Sequence, residues 1–108
     1  MILVVNDQQM VHDVLAAFME VGITTATVIE SQGMGKIVSE QMPIFAGFRN
    51  LWGGAGSFNS TIFTVVDDAM LDEAVELVKE VMFEEPETPR GVMFILPVTH
   101  FFAPPRRS

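Results

Sequence analysis

Few residues in this 108-residue chain are of types that do chemistry, and their scarcity narrows what the chain can be. With no Cys there is no thiolate nucleophile, no thiolate metal site and no disulfide framework. The two histidines, His12 and His100, lie far apart in sequence, so a histidine-based metal site would need ligands from different subunits. No Ser, His and Asp arrangement, Walker loop or paired-carboxylate motif stands out. Asp72, Glu73, Glu76 and Glu80 have the spacing of a solvated helix face, and Glu84, Glu85 and Glu87 suit a turn. What remains is a pair of glycines, Gly33 and Gly35, that break the strand before them and hinge the entry to a long loop.

Charge and hydropathy restrict the partners. A net charge of −8 and only six Lys and Arg argue against nucleic acid, because phosphate neutralisation needs clustered cations. The longest apolar runs fall well short of the roughly 20 residues that span a bilayer, so direct membrane insertion is not expected. No basic, apolar signal segment opens the chain, and a cytoplasmic protein is the simplest expectation. Residues 1–108 are the right size for one domain with a single core, and a domain this small often gains by oligomerising.

The elements around these glycines follow from periodicity. Residues 2–5 are a continuous apolar run that suits a buried strand, and Asn6 with Gln9 resembles a capping box. Val11, Val14, Leu15 and Phe18 then recur at helical spacing until Gly22 stops the helix. A second strand is expected over residues 25–31, rich in β-branched side chains, and a third over 61–66. Asp67 and Asp68 supply a cap and dipole-matched charge for a helix with the apolar stripe Leu71, Ala74, Val75, Val78 and Met82. Residues 92–96 form the last strand, and residues 99–108 are a tail containing His100, Phe101 and Phe102.

This order, strand, helix, strand, strand, helix, strand, predicts a ferredoxin-like α+β sandwich. Its sheet has four antiparallel strands, with both helices on one face. Ile2 and Val4 point opposite to Leu3 and Val5, and Val92 and Phe94 opposite to Met93 and Ile95, so the strands are apolar on both sides. Two helices cover only one side. The other is expected to be buried against further copies of the chain.

Residues 32–59, between strands two and three, are too long for an idle connection. Pro43 suits the opening of a short helix that would carry Phe45, Phe48, Leu51 and Trp52 near one face, with Gly53 and Gly54 ending it. Exposed, that cluster is partner-docking material. Folded back, it would fill a cleft of the protein instead, since leaving each such side chain wet costs about 1.5–3 kcal/mol.

The stretch GITTATVIESQGMG over 22–35, the long loop, STIFTVVDD leading into a helix, and the final GVMFILPV together resemble the nitrogen-regulatory PII signalling family. The resemblance spans the chain from the first strand to about Val98. It implies a non-enzymatic trimer whose sheets face a threefold axis, with an adenine nucleotide (ATP, ADP or AMP) bound in the cleft between subunits. It also implies that the long loop docks onto a protein partner such as an enzyme or a membrane transporter. On that resemblance Gly33, Gly35, Lys36, Val65, Val66, Arg90 and Gly91 are the ligand-binding residues, and Phe45, Phe48, Leu51 and Trp52 the partner-binding ones.

The sequence also departs from the family pattern. The glutamine that helps chelate magnesium between ATP and 2-oxoglutarate falls at Ile37, a phosphate-binding lysine falls at Val92, and arginines after the last strand fall near Ala103 and Pro105. Charge-assisted hydrogen bonds contribute about 1.5–3 kcal/mol each, so three losses would weaken a triphosphate by about three decades or more. Without Tyr, tyrosine uridylylation is excluded. The expected function is thus a trimeric PII-like regulator of a protein partner through loop 32–59, responsive to a small anionic ligand. Two alternatives stand beside it: an interaction trimer whose cleft is filled by its own loop, and a metal-handling trimer like the CutA family.

Overall fold

The computed structural model describes residues 1–42, 44, 58–84 and 91–105. Alternation organises its centre. In β1 (Ile2–Val5) Leu3 and Val5 are fully buried while Ile2 and Val4 are half-buried, the period of two of a strand with unlike faces. β1 pairs antiparallel with β3 (Ser60–Phe63) on one side and β4 (Gly91–Phe94) on the other. β2 (Thr27–Glu30) pairs antiparallel with the far side of β3, which gives the order β2-β3-β1-β4. This is the ferredoxin-like arrangement read from the sequence.

Two helices close one face of the sheet. α1 (Gln8–Val21) buries Met10, Val14 and Phe18, and α3 (Asp68–Phe83) buries Ala74, Val78 and Met82, each set spaced by four residues along one stripe. These side chains meet Leu3, Val5 and Ile62 in a single core. Fully burying a side chain of this size contributes about 1.5–3 kcal/mol, so the stripe fixes which way each helix faces. Gly22 ends α1 in the left-handed conformation, with φ 90°, and its N–H returns to the carbonyls of Phe18 and Met19.

The boundaries correct several expectations. The α1 cap is Asp7 rather than Asn6; its carboxylate accepts the Gln9 N–H at 2.9 Å. Asp67 occupies the cap position of α3, yet its side chain makes no capping hydrogen bond there. β2 and β3 are shorter than expected, because the β-branched residues at 25 and 64–66 lie beyond the ladder, and β4 stops at Phe94, before Ile95 and Leu96. The larger difference is α2 (Met34–Gln41), a helix inside what reads as loop. Met, Lys, Glu and Gln favour helix there, and the one interior glycine, Gly35, costs about 1 kcal/mol against alanine. Gly33 stands at the cap with extended backbone, φ −74°, so it opens a helix rather than the entry to a loop.

The register places the uncovered side chains in rows. Thr27, Phe63, Ile2 and Phe94 lie side by side across the sheet, as do Ile29, Thr61, Val4 and Val92. These rows face away from α1 and α3. Phe63, Phe94, Ile29 and Val92 keep 39%, 44%, 48% and 57% of their surface exposed. In β1 and β3 one side is therefore buried inside the chain and the other open, whereas β2 is exposed on both sides, with Val28 at 41%.

Candidate functional site

The neck of the long loop is built by hydrogen bonds at the ends of β2 and β3. The Ser31 N–H donates to the Asn59 carbonyl at 3.0 Å, which extends the ladder one residue beyond Glu30 and Ser60. The Ser31 hydroxyl donates to Asn59 Oδ1 and lies 3.0 Å from Thr61 Oγ1. The Asn59 amide then reaches Gly33: a Cβ on Gly33 would stand 3.3 Å from Nδ2, a tight contact that glycine avoids. Gly33 hence serves two ends here, opening α2 and letting Asn59 close the neck.

α2 turns Lys36 back toward that neck. Half-buried Lys36 lines a cavity of about 320 Å³ with Glu30, Ser31, Gln32, Phe58 and Asn59. Among the described residues neither Lys36 nor Glu30 has a salt-bridge partner; the ion pair present is Lys79 with Glu76, at 3.6 Å on α3. Two opposite charges thus border one polar cavity without neutralising each other.

A second groove, of about 510 Å³, lies at the other end of β3. Val65, Val66 and Leu71 form one wall and Ile95, Leu96 and Phe101 of the tail another, with Asp67 and Asp68 also lining it. Beside it Met1 and Thr64 exchange backbone hydrogen bonds of 3.1 Å, and burial holds the Met1 amine below its usual pKa. The Thr64 hydroxyl is buried without a partner among the described residues. Further along the tail, His100 stacks on Phe102 with ring centroids 6.4 Å apart.

The expected ligand residues are thus distributed. Gly33, Gly35 and Lys36 gather at the neck, with Gly35 buried inside α2. Val65 and Val66 line the other groove, which shares no lining residue with the neck cavity. Gly91 opens β4 across from Val5, with φ +151°; a Cβ there would collide with the Val4 carbonyl oxygen. Arg90, and the expected docking residues Phe45, Phe48, Leu51 and Trp52, lie outside the described residues. Glu30, Ser31, Asn59 and Thr61 were not singled out by sequence reasoning. Their signal was a set of polar side chains at both ends of one long insertion.

Among the described residues no three His, Asp or Glu side chains group as a metal ion requires, and no helix is long and apolar enough to cross a membrane. No curated protein matches the chain. The family model described as nitrogen regulatory protein P-II does match, over residues 1–103. That span takes in every strand and helix above and both cavities, and the chain belongs to the nitrogen regulatory protein P-II family.

Proposed function

We propose that this P-II family regulator acts as a homotrimer that binds a small anionic ligand between subunits and reports its occupancy to a protein partner through residues 32–59. The observation that carries this reading is the open sheet face, where exposed Phe63 and Phe94 stand in register on either side of half-buried Ile2. An apolar face of that kind requires cover, and a second copy brings the same face. Family membership supports a signalling role rather than an enzymatic one.

The ligand reading follows from the distribution of the candidate residues. Lys36 and the pair Val65 and Val66 line separate cavities of one chain, so a ligand touching both would take them from neighbouring subunits. Gly33, Gly35 and Gly91 would admit it, Lys36 and Arg90 would meet its negative charge, and Val65 and Val66 would pack on its apolar part. ATP, ADP and AMP are the first probes. Phe45, Phe48, Leu51 and Trp52 would carry the signal to an enzyme or a membrane transporter in the cytoplasm.

The experiment has two arms. Sedimentation at micromolar concentration should give a trimer, and a stable monomer there would overturn the assembly. A thermal-shift series with ATP, ADP and AMP should raise the melting temperature, and Arg90→Ala should abolish the rise. Equal shifts in both proteins would remove Arg90 from the site, and no shift with any nucleotide would remove that ligand class.

A further inference from the structure

The loop-neck cavity has a chemistry that a simple anion does not use. Lys36 and Glu30 both line it, with no salt bridge between them. Gln32, Ser31 and Asn59 add polar lining, and Phe58, half-buried and packed against the core, adds the apolar part. A ligand that satisfies this set carries a carboxylate, an ammonium group and a short side chain. A bare anion would meet Lys36 but also the like charge of Glu30, in a chain already at −8. An amine would meet the reverse conflict at Lys36.

We infer that the cavity lined by Glu30, Gln32, Lys36 and Phe58 is a binding site for a free α-amino acid. The ligand carboxylate lies at Lys36, its ammonium at Glu30, and its side chain against Phe58. The volume of about 320 Å³ suits a metabolite of that size and sits at the small end of ligand cavities. Because one wall is the Ser31 and Asn59 neck, an occupant also bridges the two ends of the long loop. This goes beyond the nucleotide reading, since the cavity belongs to one chain and needs no second subunit. Lys36 is common to both readings, whereas Glu30 serves only the amino acid.

Calorimetric titration of the full chain tests it, with glycine, L-alanine, L-serine and L-glutamine as ligands and propionate and propylamine as single-charge controls. At least one amino acid should bind saturably, with propionate and propylamine at least about tenfold weaker. Removing one charged partner corresponds to about a ten- to hundredfold loss, so Glu30→Gln and Lys36→Gln should each weaken binding by that factor. Glu30 is exposed and Lys36 half-buried, and circular dichroism checks that both variants are folded. No saturable binding by any of the four amino acids, equal binding of propionate, or unchanged affinity in Glu30→Gln would each overturn the proposal. Nucleotide-induced thermal shifts measured on Glu30→Gln should be at least as large as those of the parent, since the substitution removes a like charge beside Lys36, which separates failure here from failure of the nucleotide reading.

Discussion

Ser31 and Asn59 are joined twice, through backbone at 3.0 Å and through the Ser31 hydroxyl on Asn59 Oδ1, so the two ends of the long loop are held as one unit. The single side-chain hydrogen bond of this clamp contributes about 0.5–1.5 kcal/mol net. Ser31→Ala should lower the melting temperature by a few degrees and speed amide exchange at Ile37, whose N–H bonds to the Gly33 carbonyl at 3.2 Å. Exchange as slow as in the parent would mean that α2 is held without the clamp.

Gly91 starts β4 in a backbone conformation that L side chains rarely adopt, and a Cβ would strike the Val4 carbonyl oxygen. Relief requires moving β4 away from β1, the central strand. Gly91→Ala should therefore destabilise the protein by about 2 kcal/mol or more, since strain of this type alone costs about 1–3 kcal/mol. Denaturant unfolding measures it. A loss below about 0.5 kcal/mol would show that the β1–β4 ladder has slack.

Thr64 is 4% exposed, and its hydroxyl has no hydrogen-bond partner among the described residues. An unsatisfied buried polar group costs about 1–3 kcal/mol, and valine fills the same volume without it. Thr64→Val should leave stability unchanged or raise it by up to about 1 kcal/mol. A clear drop would reveal that the hydroxyl is satisfied in the assembled protein, next to the Val65 and Val66 groove.

The sheet and its two long helices were legible because each rests on redundant signals. The stripe through Met10, Val14 and Phe18 and the stop at Gly22 agree on α1, and the alternation in β1 agrees with its central place. Strand ends were not legible: Val65 and Val66 favour extended structure as strongly as Thr61 and Ile62, and pairing with β1 decides where the ladder stops. α2 was hidden because Gly33 and Gly35 read as breakers, although one is a helix cap and the other is buried within the helix. The neck clamp and its cavity join residues nearly thirty positions apart. Single polar residues such as Ser31 and Asn59 carry no periodicity that would announce such a contact.

Phe63 and Phe94 flank Ile2 on the open face, and this arrangement gives the sharpest test of assembly. In a single chain both rings are partly wet, so replacing either with Glu removes little core packing and leaves α1, α3 and their contacts intact. In an assembly that covers this face, the same Glu would be an unpaired charge in an apolar contact, at a cost of several kcal/mol per subunit. Phe63→Glu lies nearer the middle of the sheet than Phe94→Glu on edge strand β4, so it should dissociate the protein at a higher concentration. Glu76→Lys, on the wet face of α3, should leave sedimentation unchanged. If Phe63→Glu keeps the parent's mass at micromolar concentration while remaining folded, the subunits meet through some other surface and the open face has a different partner.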